Sequence, residues 1–260
     1  MARTAITKPR KSMLMGDLTN CILTNGSTND MCGVNFNPAT SGRTELSGMV
    51  RVQIPPSAIA GGNQGLLSKW NGATGQAFFF RIETDGFLYF YLSTSGTTIA
   101  RQIHSRRKFT DGLPHTLGFS FSSSTGITLY ADGRQLGIVT DVSGTLGAFN
   151  NNATKIGVGN SYSAGAAANR ANGYFKDACF IPRTCTLAEH QLYHAEGAVP
   201  SDYSRWWRFN EGSGSSVADE AGVNNLSVAT GCTWSTKQFF PSARSASGAR
   251  NLITAERTSA

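Results

Sequence analysis

The stretch Gly126-Ile-Thr-Leu-Tyr-Ala-Asp-Gly133 carries the strongest hairpin signal in the chain. Asp-Gly is a dipeptide that tight hairpin turns prefer, because both central residues of such a turn need a positive φ. Here it lies between Tyr130 and Leu136, which belong to two successive apolar runs. We therefore predict a strand over residues 125–131 that turns back on itself at Asp132-Gly133.

Further strands are predicted on both sides of this hairpin. Short runs of apolar and β-branched residues that are closed by Gly, Asp or Ser indicate strands. These runs span residues 21–24, 49–54, 76–83, 86–93, 115–122, 155–159 and 173–181. Residues 87–92 are apolar at every position, which predicts a strand inside a sandwich or beneath a second layer.

A single helix is predicted near residue 190. Thr186 and Glu189 have the spacing of a capping box, and Gly197 supplies a C-terminal stop. Short strands at roughly ten-residue spacing, with one short helix, are typical of an antiparallel β-sandwich. We therefore predict an all-β fold with one globular body.

The composition agrees with this fold class. Only 15% of the residues are charged, and 29 of the 260 are glycine, which excludes an all-α protein or a coiled coil. The apolar runs are far shorter than the roughly 20 residues that cross a bilayer, and none follows the N-terminal cations as in a secretory signal. We expect no membrane partner, and synthesis in the cytoplasm.

The formal net charge of +7 lies entirely at the two ends of the chain. Residues 1–16 and 237–260 carry this excess, while cations and anions balance in between. The cations at the ends are Arg3, Lys8, Arg10, Lys11, Lys237, Arg244, Arg250 and Arg257. We predict an extended N-terminal arm over residues 1–44, a body over 45–236 and a basic C-terminal tail over 237–260.

Two interpretations of these basic ends remain open. They are arms that bind an acidic surface on a neighbouring protein subunit, or they are solvated, frayed tails. We favour the arms, because basic ends on a neutral body are typical of segments that lie on an acidic surface, and segments of this composition become ordered only against a partner. Nucleic acid is an unlikely partner, since no basic groove with interleaved aromatic residues is evident.

The five cysteines are widely spaced and form no CxxC pair. A zinc ribbon or a thioredoxin-type redox site is therefore improbable. In a chain without a secretory signal, reduced and buried thiols are expected.

Five groups of short motifs occur in an order that one family shares. They are GLLSKW at 65–70, DGLPH at 111–115, GITLYADG at 126–133, GYFKD at 173–177 with TLAE at 186–189, and WRFNEGSG at 207–214 with Asp219 and Trp234. From residue 46 to residue 234, the chain resembles the laminin-G-like jelly rolls of the concanavalin A-like superfamily. Pro114 and residues 180–182 depart from the family pattern.

The resemblance implies a jelly-roll sandwich with Trp70, Trp207 and Trp234 as packing residues. It also implies binding of glycans, and in many members calcium, at the sandwich rim. The asparagine-rich residues 150–152 and 160–172 offer carbonyl and amide oxygens, but these loops contain no carboxylate, and asparagine is commonly a turn former. No cofactor is required, and a calcium site is left open.

Glycan binding would use an exposed aromatic side chain as a stacking platform. Tyr162, Tyr203 and Trp206 lie among polar neighbours and are the candidates.

A polysaccharide hydrolase would need two carboxylates facing one cleft, but Asp85-Gly86 is typical of a turn, which leaves Glu83 alone. His190 and His194 have the spacing of a zinc pair, yet Gln191 replaces the glutamate base, so a solvated helix face is expected.

The sequence supports three hypotheses about function. The first is a non-enzymatic virion protein, a phage head-decoration or tail-associated component whose arms bind the capsid or tail lattice and which self-associates. The second is a lectin-like module that binds a host-surface glycan, with or without calcium. The third is a polysaccharide hydrolase, for which no catalytic residue is assigned. The first is our preferred hypothesis at this point, with the virion as the expected location.

Overall fold

The computed structural model of the chain describes residues 20–27, 31–33, 43–72, 74–150, 154–163, 166–228 and 231–236. Within these residues, two mainly antiparallel sheets pack face to face as a β-sandwich. The predicted fold class is confirmed. All eight cations assigned to the arms lie outside the described residues, so their role stays a prediction.

The first sheet has eight strands. In spatial order they are β10 (Arg134–Gln135), β9 (Gly126–Ala131), β8 (Pro114–Ser122), β3 (Glu45–Gln53), β15 (Asn172–Ile181), β1 (Cys21–Asn25) and β19 (Cys232–Ser235), with β16 (Arg205–Trp207) also paired to β15.

The second sheet has eleven strands. In spatial order they are β11 (Ile138–Ser143), β7 (Arg101–Lys108), β6 (Phe87–Leu92), β5 (Gly75–Ile82), β4 (Gln64–Asn71), β12 (Ile156–Val158), β2 (Met31–Gly33), β18 (Leu226–Val228) and β17 (Ser216–Val217). The short strands β13 (Ser161–Ser163) and β14 (Ala166–Ala168) pair with each other, and β13 also pairs with β4.

The eight strands predicted from the sequence are all present, with ends that differ by a few residues at most. The hairpin predicted at residues 126–133 turns at Asp132 and Gly133, whose φ values are 53° and 71°. Two helices occur instead of the predicted one, α1 (Pro56–Gly61) and α2 (Leu187–Glu196). The six-residue α1 has no side-chain cap, so no capping signal marks it in the sequence. Neither helix is long and apolar enough to span a membrane.

Part of the predicted N-terminal arm belongs to the sandwich. Strand β1 pairs with β15 on one side and β19 on the other, and its residues Cys21 and Ile22 are fully buried. Strand β2 pairs with β12 and β18 in the second sheet. The described residues before position 44 are therefore structural elements of the body rather than an extended arm.

The core between the sheets is dominated by phenylalanine. Phe78 on β5, Phe90 on β6 and Phe119 on β8 are fully buried, and the rings of Phe90 and Phe119 lie 4.6 Å apart. Trp207 is also fully buried there and donates its indole N–H to the Asn224 carbonyl oxygen, which confirms its predicted packing role. Cys21, Cys179 and Cys185 are buried, as expected, whereas Cys232 is only half-buried.

Helix α2 covers the outer face of the first sheet, which corrects the prediction of a solvated histidine face. The ring of His190 is buried, stacks 3.7 Å from the Tyr130 ring and hydrogen-bonds Ser120 Oγ. A Cβ on Gly118 would lie only 2.9 Å from His190 Cε1, so a glycine beneath the helix permits this close approach. Burial lowers the pKa of His190 to about 3, which keeps the imidazole neutral.

Candidate functional site

The outer face of the second sheet carries an aromatic cluster that we call the outer aromatic face. Its members are Trp70, Phe79, Phe87, Tyr89 and Tyr91. Successive side chains of a strand point to opposite faces, so these residues alternate with the core side chains of the same strands. The cluster therefore lies on the side of the sandwich away from α2.

Strand pairing fixes the order of side chains across this face. Arg81, Tyr89 and His104 are neighbours in one transverse row over β5, β6 and β7. Phe79, Tyr91 and Gln102 form the next row. Side chains opposite each other in antiparallel strands are in contact distance, so each row is a packed layer of aromatic and polar groups. Phe79, Tyr89 and Tyr91 are buried in this layer.

Arg81 is the centre of a polar cluster on this face. Its guanidinium lies 4.6 Å from the Tyr91 ring centroid and 4.8 Å from that of Phe79. Its Nε donates to Glu83 Oε1 at 2.9 Å, and the Tyr91 hydroxyl donates to the same oxygen. Within the described residues, the other carboxylate oxygen of Glu83 has no hydrogen-bond partner, and the side chain is 20% exposed. Glu83 therefore presents a fixed acceptor at the surface.

Two further carboxylates border the aromatic residues. The Tyr89 hydroxyl donates to Asp85 Oδ2 at 2.9 Å, and Asp85 also accepts the backbone N–H of Phe87. Asp141 on β11 lies 3.5 Å from His104 Nε2 and accepts a hydrogen bond from Gln102. Asp85-Gly86 forms the turn that the sequence predicts, with Gly86 at a φ of 85°.

Both phenols of the face remain protonated near neutral pH. Burial raises the pKa of Tyr89, and the hydrogen bond to Asp85 raises it further. Burial also raises the pKa of Tyr91, against the opposing charge of Arg81, and the hydrogen bond to Glu83 raises it further. The two hydroxyls therefore act as donors, which keeps the carboxylates in place as acceptors.

A second feature is a polar cleft of about 400 Å³ at one end of the sandwich. It is formed by the turn after β1, helix α1 with the residues that follow it, and residues 169–172 before and at the start of β15. The asparagine-rich loop over 160–172 that the sequence singles out therefore contributes to a real concavity. The described lining of the cleft does not fit calcium, because these residues offer neutral amides, hydroxyls and one arginine but no carboxylate.

The predicted glycan-binding residues do not lie together. Tyr162 is only 4% exposed, so the prediction that its ring is a surface platform is wrong. It lies on the second sheet, with the Lys155 ammonium 6.0 Å from its ring centroid. Tyr203 and Trp206 are half-buried on the first sheet, where their rings meet edge to face at 5.5 Å. Their role in glycan binding stays a prediction.

Sequence reasoning missed the residues of the outer aromatic face. Trp70 was expected in the core, but it is half-buried on the outer face, 6.0 Å from Phe79 and 6.1 Å from Tyr91. The aromatic residues at every second position of β6 were the available signal. They indicate a second layer equally well, because alternation alone does not show which face a helix covers.

Comparisons with known proteins agree at the level of the fold. No protein-family model matches the chain. No curated protein matches it either. Solved structures do match, at identities that carry information on the fold alone.

A Bacteroides ovatus protein assigned provisionally to carbohydrate binding matches 86% of this chain, with a TM-score of 0.62 and 12% identity. This chain spans 61% of that protein. The heptameric SAP-like pentraxin of Limulus polyphemus matches over 82% of this chain and 96% of its own, with a TM-score of 0.50 and 12% identity. The CBM40 module of the Ruminococcus gnavus IT-sialidase, bound to α2,3 sialyllactose, matches over 69% and 99%, with a TM-score of 0.51 and 14% identity. The chain thus has a lectin-like jelly-roll fold.

Proposed function

We propose that this protein is a non-catalytic glycan-binding module and that the outer aromatic face holds the sugar. The observation that carries this proposal is the combination of two half-buried aromatic rings, Trp70 and Phe87, with three surface carboxylates on the sheet face opposite α2. Sugar rings have apolar C–H faces and a rim of hydroxyl donors, which match these two kinds of group. The fold supports the same function, since solved structures that share it include carbohydrate-binding proteins.

The polar groups of the face are ordered before any ligand arrives. Arg81, Glu83 and Tyr91 hold one another through hydrogen bonds and ring contacts. A ligand therefore does not have to immobilise these side chains, and less conformational entropy is lost on binding. The half-buried Trp70 and Phe87 offer apolar contact area beside them.

The test compares two tryptophans on opposite sheets. Glycans that bind the wild-type chain on an array are titrated by calorimetry against Trp70→Ala and Trp206→Ala. Trp70→Ala is expected to weaken binding ~10-fold or more, because it removes a contact surface at the centre of the site. Trp206 lies on the first sheet and is the candidate predicted from the sequence, so Trp206→Ala tests the competing site. It should leave the affinity unchanged if the sugar lies on the outer aromatic face.

A second variant separates the loss of a contact from the loss of the fold. Glu83→Gln keeps the shape of the side chain and removes the charge that accepts sugar hydroxyls, so it should weaken binding while the thermal midpoint stays close to that of the wild type. A loss of binding in Trp206→Ala but not in Trp70→Ala would move the site to the first sheet. Release of reducing ends from a bound glycan would overturn the non-catalytic part of the proposal.

Assembly onto a virion remains a separate prediction that rests on the charge of the chain ends. Deleting residues 1–16 is expected to abolish particle incorporation while the thermal midpoint of the body is retained. Incorporation of the truncated chain at the wild-type level would contradict this role. It would leave the glycan-binding proposal untouched, because the outer aromatic face lies within residues 70–91.

A further inference from the structure

The polar cleft has walls that are held rigidly by one glutamine. Gln64 is buried, and its amide nitrogen donates to the carbonyl oxygens of Ala58 and Gly62, each at 2.7 Å. Its amide oxygen accepts the backbone N–H of Asn172 at 2.8 Å. Helix α1, the start of β4 and the start of β15 are thereby joined at the bottom of one concavity.

The segment before β15 is also held in an uncommon conformation. Asn169 has a φ of 45°, and its carbonyl oxygen accepts the Gly65 N–H at 2.9 Å. A Cβ on Gly65 would lie 2.7 Å from that oxygen, so only glycine permits the contact. The side chain of Asn169 is fixed in turn by a hydrogen bond to Ser161 Oγ. Backbone held this way is a common property of binding sites, and here it places Arg170 against the cleft.

Among the lining residues that the structure describes, Arg170 is the single charged one. Its Nε is buried and has no hydrogen-bond partner within the described residues. A buried guanidinium N–H without an acceptor is costly, and the group is always protonated, so an acceptor that a ligand brings to Arg170 would be favourable, most of all an anionic one. No carboxylate among the described lining residues supplies such an acceptor.

We propose that this cleft binds the carboxylate of an acidic sugar, with Arg170 as the residue that pairs with it. Arginine binds carboxylates through two parallel N–H groups, and the amides of the lining match the sugar hydroxyls as donors and acceptors. Ala58 is the one apolar residue of the lining, so a peptide carrying apolar side chains would gain little burial there.

The position of the cleft connects it to the outer aromatic face. Asn63 in the lining accepts the backbone N–H of Thr84, the residue that follows Glu83. The acidic sugar would therefore occupy a subsite next to the aromatic one, as part of the same glycan. This inference rests on the proposed function and adds a second, charge-selective subsite to it.

The test uses matched small sugars and the full chain. Methyl glucuronide, the methyl glycoside of N-acetylneuraminic acid and the uncharged methyl glucoside are titrated, and backbone-amide NMR shifts of the cleft residues are followed. At least one acidic sugar is expected to shift the resonances of Asn63, Asn169 and Arg170, whereas the glucoside at the same concentration does not. Arg170→Gln should lower the affinity for the acidic sugar by about tenfold or more, because it removes a charge-assisted hydrogen bond to the carboxylate.

Arg134→Gln is the control, since Arg134 is an exposed arginine on the edge strand β10, which three strands of the first sheet separate from β15. Its affinity for the acidic sugar should equal that of the wild type. Failure of both acidic sugars to bind, equal binding of the glucoside, or an unchanged affinity in Arg170→Gln would each overturn the proposal. Acetate binding as tightly as glucuronide would overturn the assignment to a sugar. If the acidic-sugar proposal fails in any of these ways, the proposed function still stands as long as neutral glycans bind the wild type and Trp70→Ala weakens that binding.

Discussion

His115 lies between two carboxylates at the start of β8. Its Nδ1 is 2.9 Å from Asp132 Oδ2, and its Nε2 is 2.9 Å from Asp111 Oδ1. Arg107 contacts the same two carboxylates, at 3.2 Å from Asp132 and 3.8 Å from Asp111. Both imidazole nitrogens donate only in the protonated ring, so this arrangement fits the imidazolium form.

The pKa of His115 follows from this geometry. Burial lowers it, but the hydrogen bonds and charges of Asp132 and Asp111 outweigh burial and raise it above its ordinary value. A group whose pKa is raised on folding stabilises the fold fully below the pKa of the unfolded chain. That contribution is lost as the pH rises through the pKa of the folded state.

We therefore expect His115→Gln to lower the free energy of unfolding more at pH 6 than at pH 9. The measurement is urea unfolding of the wild type and the variant at both pH values. Comparing the two proteins at each pH cancels the titration of groups that they share. If the difference in unfolding free energy between the two proteins stays constant, or grows toward pH 9, His115 is not stabilised in its protonated form by the two carboxylates.

The docking of α2 is decided by packing at the scale of the element. Its capping box is formed as the sequence predicts, with Thr186 accepting the Glu189 N–H. Bonding to Arg183 lowers the pKa of Glu189 to about 2, so the cap is charged over the ordinary pH range. The cap explains where the helix begins. The close approach that Gly118 on β8 permits to His190 explains where the helix packs.

Gly118→Ala tests this docking. The new Cβ would meet His190 Cε1 at 2.9 Å and the Gly48 carbonyl oxygen at 3.1 Å, so either the helix or the strand must shift. We expect a loss of about 1–3 kcal/mol in the free energy of unfolding, as for other overpacked sites. Gly61→Ala is the control, since nothing lies within 4 Å of its Cβ position, and it should change stability by less than about 0.5 kcal/mol. Equal stability of the two variants would show that α2 does not depend on this contact.

At the scale of the whole molecule, the two outer faces have different roles. The first sheet is covered by α2 and by the cluster around Met49, Cys179 and Tyr193. The outer face of the second sheet has the half-buried Trp70 and Phe87 and the partly exposed Glu83 beside a buried aromatic cluster. This asymmetry leaves one broad face of the sandwich for a ligand, next to the polar cleft at its end.

Membership of β1 in the sandwich gives a further prediction. Ile22→Ala is expected to lower the free energy of unfolding by about 2–4 kcal/mol, because Ile22 is fully buried between the two sheets. Ile99→Ala is the matched control, since Ile99 is 37% exposed and should cost much less. Chemical unfolding measures both. If Ile22→Ala and Ile99→Ala lose nearly the same free energy of unfolding, residues 21–25 do not contribute to the sandwich core and belong to the arm.

The sequence by itself determined the fold class, the eight main strands and the capped helix. Alternation, Asp-Gly turns such as the one at Asp132 and the Thr186 capping box act over a few residues, so they are visible without a partner strand. The glycan-binding alternative also followed from the resemblance that the motif order carries. The solved structures with this fold support it better than the virion role, which was the preferred hypothesis from the sequence.

Only the tertiary structure decided where the candidate sites lie. Burial of Tyr162, exposure of Trp70 and the placement of Arg170 beside a turn that follows residue 25 depend on strand order and on which sheet α2 covers. The cleft joins Arg170 to Asn25, more than a hundred positions away. Local periodicity is also the same for a strand whose second face is covered or open. The physical reason is that a side chain's chemistry is set by its sequence, whereas its solvent exposure and its partners are set by long-range packing.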